Sequence, residues 1–336
     1  MEQNVTQNNA KSIIEAYVGK KLEDMRDNPD RESRNLVDLA LALSAGRFQK
    51  HFLSIAHSML EDENSPYYAL IHDAIKNVGT ANILKFGMNT GYNSFTAGAR
   101  TIRNLEKERG YNIPWSIIFY IDNTSFSEEA YSEAIRQGKK LGIYTYVFFC
   151  SEIPVTITEL FDNESECAFI LFSDAENIQN GILEQAGEIK NMMLCVKYSE
   201  NAQQLCEHLR SDKALYSIWY EYNSDEKPAC NELLNVADEL HPILTFFVKS
   251  DDDYSGYNDV YTESSKLRDT RTAASVPMEF SGTARMIDEI ISDDACIAVF
   301  DESGRLISAV NSGAECNFRN WTLAEIFEKC YPKATK

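Results

Sequence analysis

A chain of 336 residues with 44% hydrophobic content can bury a sizeable core, in one large or two modest domains. Its 52 acidic against 32 basic side chains leave a formal charge of −20. That surplus repels phosphate backbones and anionic lipid, so the expectation is a globular protein that binds neither nucleic acid nor membrane. The longer apolar runs, such as Trp115–Ile121 and Ile143–Cys150, are too short to span a bilayer. Met1–Ala10 has neither the basic start nor the apolar stretch of a signal peptide, and the expected location is the cytoplasm.

From about Lys11 to Gly110, apolar residues recur at helical spacing: Leu36, Leu39, Ala40 and Leu43, then Phe48, Phe52, Ile55 and Met59. Ser65-Pro66 opens a further segment, with Leu70, Ile71, Ile75 and Val78 on one face and Gly79 closing it. Gly87–Asn93 is rich in turn formers and reads as a helix–helix turn. It superficially suggests a phosphate loop, but no Lys-Ser/Thr follows. The first 110 residues thus form a helical N-terminal region.

After Pro114 short β-branched and aromatic runs alternate with amphipathic stretches. Trp115–Ile121, Ile143–Cys150, Cys167–Phe172, Met192–Lys197, Tyr216–Tyr222 and Ile243–Val248 are the strands. Ser125 with Glu128 reads as the capping box of the first helix between them, which carries Tyr131, Ala134, Ile135, Gly138 and Leu141 on one face and stops at Gly142. Six such repeats with nearly continuous apolar strands argue for a parallel sheet covered by helices. Six is too few to close an ordinary eight-stranded barrel, and an open, partial (βα)6 barrel over residues 111–250 is the natural alternative to a flat doubly wound sheet. Residues 251–278 read as a mobile polar loop. Residues 279–336 form a helix-hairpin-helix extension: a helix around Phe280–Ile291, a hairpin of Ile297–Phe300 and Leu306–Val310, and a last helix from Thr322 to Cys330.

Residues that follow the strands of a parallel barrel surround its mouth, where such folds bind ligands. The candidates by this position are Asp122, Cys150, Ser151, Glu152, Ser173, Asp174, Tyr198, Glu221 and Lys249. Asp122 with Glu152 could do general acid–base work or hold a metal, although solvated strand ends look the same in sequence. Cys150 would need a nearby base to act as a nucleophile, and no partner is visible. The eight cysteines are irregularly spaced, mostly within apolar segments, and read as buried free thiols. The five histidines show no zinc-binding pairing.

Asn112-Ile113-Pro114-Trp115-Ser116-Ile117-Ile118, followed by Ala134–Phe148, is similar to the first strand–helix unit of a bacterial branch of the radical S-adenosylmethionine (SAM) family. The likeness extends from a helical leader near Asn35-Leu36-Val37 to the tail, where Cys296–Val310 and Asn317–Leu323 resemble a SPASM-like closing hairpin and helix. The resemblance implies a [4Fe–4S] cluster on three closely spaced thiolates, with SAM on the open iron. This chain departs from the pattern twice. No cysteine lies between Trp115 and Ser125, where the family carries its cysteine loop. The family's Gly-Gly-Glu-Pro turn, which meets the SAM amino group, is here Cys150-Ser151-Glu152-Ile153-Pro154, adding side chains where backbone must approach ligand.

The expectation is therefore a degenerate radical-SAM-like protein that has lost cluster and SAM, a non-catalytic scaffold for a small molecule, a protein partner or a second copy of itself. The alternative is an enzyme with cluster-independent chemistry at the barrel mouth. A third reading is an intact radical SAM enzyme with unusual cluster ligation. An enzyme predicts a deep pocket with converging polar groups, whereas a binding module predicts a filled barrel and exposed apolar surface.

Overall fold

A computed structural model describes residues 2–44, 46–178, 180–225, 227–250, 256–292, 294–309, 312–313 and 315–333. The helical leader comprises α1 (Glu2–Asp24), α2 (Pro29–Leu43), α3 (Arg47–Met59), α4 (Pro66–Asn77), α5 (Thr80–Met88) and α6 (Ala99–Arg109). The expected turn at Gly87–Asn93 is absent. The chain runs from α5 into a π-helical stretch, Asn89–Gly98, and on into α6. Tertiary contacts override the local turn preference. The Asn89 side-chain amide donates to the carbonyls of Ser165 (3.0 Å) and Cys167 (2.7 Å), and that of Asn93 to Glu166 (2.7 Å). Gly98 is needed here because a Cβ would strike the carbonyl of Gly142, itself left-handed at φ 95°.

Strands and helices then alternate: β1 (Ser116–Ile121), α7 (Glu128–Leu141), β2 (Thr145–Cys150), α8 (Ile157–Asn163), β3 (Ala168–Ser173), α9 (Asn180–Gln185), β4 (Met192–Lys197), α10 (Ala202–Ser211), β5 (Tyr216–Tyr222), α11 (Cys230–Asp238) and β6 (Leu244–Lys249). These are the six expected strands. α12 (Asp259–Asp269), β7 (Val276–Glu279), α13 (Phe280–Ser292), β8 (Ala298–Phe300) and α14 (Leu323–Cys330) follow. The sheet is wholly parallel, in the order β7-β6-β5-β4-β3-β2-β1-β8.

Ring contacts show that this sheet curls. Phe172 of β3 lies 5.2 Å from Phe246 of β6, although two strands separate them and a flat sheet would hold them about 14 Å apart. The result is an α/β half-barrel with helices around it. β7 and β8 stand at its two edges, and α13 runs from one to the other.

Two details of the expected organisation differ. Part of the polar segment is ordered as α12, whose N-cap Asn258 side chain accepts from the Tyr261 N–H at 2.8 Å, and its last residues open β7, so that with β8 the sheet has eight strands and not six; residues 251–255 lie outside the described residues. The segment Ile297–Phe300 was expected as one arm of a hairpin, and its last three residues join the barrel as β8 beside β1. Phe300 and Leu306 still pair antiparallel across the reversal, and Ile307 N–H donates to the Val299 carbonyl. Val310 lies outside the described residues.

Period-2 alternation divides the strands between two cores. Outward side chains, among them Phe119, Phe148, Phe169, Leu194, Ile218 and Phe247, pack beneath the helices. Inward ones, Ile118, Val147, Phe149, Phe172, Met193, Cys195, Trp219, Phe246, Val248 and Val299, meet inside the half-barrel. Among the described residues, no helix is long and apolar enough to cross a membrane.

Candidate functional site

The inside of the half-barrel is filled with rings. Phe280, the first residue of α13, enters between the two arms of the sheet and meets Phe149 (5.4 Å), Phe172 (5.4 Å) and Phe246 (6.3 Å) edge-on. Phe149 stacks on Phe172 at 4.5 Å and on Tyr120 at 5.2 Å, and Trp219 closes against Phe149 and Phe172. Such offset and edge-to-face pairs add about 0.5–1.5 kcal/mol each beyond burial.

Above this plug, at the C-terminal ends of the strands, sits a charged group. Lys197 ends β4 on the same face as Met193 and Cys195. Its ammonium lies over the Trp219 ring, 5.0 Å from the centroid, and pairs with Glu221 (2.6 Å) and Asp174 (3.5 Å). Burial opposes that charge, but Glu221 and Asp174 outweigh it and hold the ammonium's pKa above its ordinary value. The next residue, Tyr198, 41% exposed, lies on the outer face and packs at a tilt against Tyr220, 5.1 Å between centroids. Position after the strand marks Tyr198 and not Lys197. The alternation Met193, Cys195, Lys197 was the signal that would have found it.

The other candidates separate. Asp174 and Glu221 belong to the lysine cluster. Asp122 turns back on its own loop: one carboxylate oxygen accepts from the N–H and hydroxyl of both Thr124 and Ser125, at 2.7–2.9 Å. Those bonds, from Ser125 first, hold its carboxyl below the usual range. Because Asp122 occupies Ser125, the cap of α7 is Ser127, which accepts from Ala130 N–H, and not Ser125 as expected.

Cys150 is not at the mouth. It points outward into the helix-covered core, and burial pushes its thiol pKa well up, which disfavours the nucleophilic thiolate. Ser173 is buried and donates to the Cys150 carbonyl at 3.2 Å. Ser151 and Glu152 are exposed at the rim, and Lys249 ends β6 half-buried. Asp122 and Glu152 are therefore not joined with Cys150 in one group.

Glu279, which no sequence pattern marks, is a fully buried carboxylate at the end of β7. It accepts from the Tyr222 hydroxyl (2.8 Å), the Asn258 amide (3.3 Å) and the Gly282 N–H (2.5 Å), tying β5, α12 and α13 together.

No protein-family model matches the sequence, and no curated protein matches it significantly. Solved structures do resemble the fold. Structures of SuiB from Streptococcus suis, bound to S-adenosylmethionine and bound to the precursor peptide SuiA, each superpose with a TM-score of 0.51 at 13% and 12% identity. They cover 68% of this chain, which itself spans about two thirds (66–67%) of SuiB. At such identity the likeness concerns the fold alone, a partial α/β barrel of the radical-SAM type.

A [4Fe–4S] cluster requires three thiolates converging on one point. Here Cys195 lies inside the half-barrel, Cys150 outside it, Cys206 on α10 and Cys230 on α11. Cys316 and Cys330 touch, 3.3 Å between sulfurs, within the C-terminal segment. Among the described residues, no three of His, Cys, Asp and Glu are placed to hold a metal ion. The residues present do not fit the cluster.

Proposed function

We propose that this chain is a radical-SAM-like scaffold that works without an iron–sulfur cluster or SAM, by binding a peptide or protein partner. The observation that carries this reading is the aromatic plug: Phe149, Phe172, Trp219, Phe246 and Phe280 occupy the volume in which a substrate-enclosing pocket would lie. Exposed apolar side chains on the leader, Leu39 (38%) and Leu43 (74%) one turn apart on α2 and Phe52 (47%) on α3, offer surface for association with a partner or a second copy. SuiB's complex with a precursor peptide adds support for a peptide partner. Cytoplasmic residence belongs to the same reading.

The rival reading, cluster-independent catalysis, draws on Lys197 set between Asp174 and Glu221 at the mouth. A lysine paired this way stays protonated and would orient an anionic group rather than act as a base.

Anaerobic reconstitution of the full chain with iron and sulfide tests the proposal. The expected product is colourless and leaves SAM intact. A brown protein that reductively cleaves SAM would overturn it.

A further inference from the structure

A second site lies away from the barrel mouth, where the leader meets the opposite end of the barrel. A cavity of about 510 Å3 opens between the α1–α2 turn, α4, the start of α5 and the turn between α10 and β5. Its volume is within the range that holds small organic ligands. Four basic side chains line it: Arg26, His72, Lys76 and Lys213. No carboxylate does, although the chain as a whole carries −20.

The nearby acids already have partners, one of them within the lining. Asp30 pairs with His72 at 2.5 Å, and Asp73 pairs with Arg210. Arg26 donates to the Thr80 hydroxyl at 2.9 Å. Among the described residues, Arg26, Lys76 and Lys213 form no ion pair, so three positive charges line one space, and the carboxylate beside it, Asp30, is held by His72. Lys213 is moreover held in the left-handed region at φ 58°, a conformation a non-glycine residue adopts at a cost. The floor is apolar, formed by Met25, Ile75 and Val78.

From this arrangement we infer that the cavity binds a small organic phosphate, its anionic groups on Arg26, Lys76 and Lys213 and its uncharged body on the apolar floor. Long polyanions do not fit this reading, because the acidic surface beyond the cavity repels them, whereas a small anion inside it sits within a Debye length of about 8 Å of the three cations. The ligand would join the leader to the barrel: Gly79 N–H already donates to the Lys213 carbonyl at 2.9 Å, and Val78 packs into the inner core beside Leu215. This inference does not depend on whether a cluster forms or on what binds at the mouth.

Isothermal titration of the full-length protein with ADP, at low salt, is the test. ADP should bind saturably, at least tenfold more weakly in Lys76→Glu/Lys213→Glu, and within twofold of the parent in Lys107→Glu/Lys140→Glu, which makes the same charge change on exposed sites elsewhere. The altered lysines are exposed, and circular dichroism verifies that each variant is folded. Raising sodium chloride should weaken the parent's binding and barely affect Lys76→Glu/Lys213→Glu. Absence of saturable binding by the parent, or equal losses in the two double variants, would overturn the assignment.

Discussion

The two ends of the half-barrel are built on different principles. At the N-terminal end of the strands, buried amides and carboxylates reach across to backbone: Asn82, Asn89 and Asn93 bridge to the turns before β3 and β4, Ser94 bonds Thr145 at 2.7 Å, and Asp288 accepts from the N–H groups of Trp115 and Cys296, which lead into β1 and β8. At the C-terminal end, the buried Glu279 apart, the polar groups pair with one another at the rim, Lys197 with Asp174 and Glu221, and Asp122 with its own loop. The first pattern fixes geometry, since an unpaired buried carbonyl or N–H costs about 1–3 kcal/mol. The second leaves side chains that can exchange partners at little cost to the fold.

Four substitutions would break or sharpen this contrast. Phe172→Ala, in the plug between the two ends, should destabilise most, by about 3–5 kcal/mol, as read from urea unfolding. Its ring is fully buried and meets Phe149, Trp219, Phe246 and Phe280. A loss near zero would mean that the interior is not packed as described.

Asn89→Ala should cost about 1–3 kcal/mol in the same assay, because it removes the donor to the Ser165 carbonyl and leaves that of Cys167 to Asn191 alone.

Asp288→Asn should act through pH. Burial raises the Asp288 pKa well above its ordinary 3.8, and burial likewise raises that of Glu106, which accepts from Ile113 N–H at 2.8 Å and from Lys333 at 3.1 Å. The folded state therefore holds protons that the unfolded state has released, and stability falls as pH rises from about 3.8 through the raised values. The asparagine gives up one acceptor, costing about 1–2 kcal/mol in acid. That penalty should shrink toward neutral pH, as melting temperatures across the range would show; a pH-independent penalty contradicts the assignment.

Lys197→Met, at the other end, should change stability by less than about 1 kcal/mol, because the pair is partly solvated. A large stability loss would make the rim as structural as the base.

Much of this fold was legible because parallel strands buried on both faces are apolar without interruption, and β1 to β6 all have that texture. β7 was not, because Pro277 lies within it and a four-residue strand gives little pattern; the proline is tolerated at the sheet edge, where β7 pairs only with β6. The π-helical stretch was hidden by Gly87 and Gly91, which argue locally for a turn, while the bonds that decide the matter run to residues more than seventy positions away. At the mouth, the lysine cluster needed three strands at once: position along the strand marks Asp174 and Glu221 but not Lys197, and the three meet only because β3, β4 and β5 are neighbours in register. Asp122 and Cys150 were placed by position along the strand. Neither the Asx-type loop nor the outward phase of Cys150 follows from position alone.

Phe280 joins the half-barrel from the segment that follows its seventh strand, so the rings of β2, β3 and β6 must wait for it while the chain is being synthesised. A polypeptide ending near residue 250 would carry the whole inner face of the sheet uncovered on one side. Such a fragment should collect in inclusion bodies or on chaperones, whereas the full chain stays dispersed.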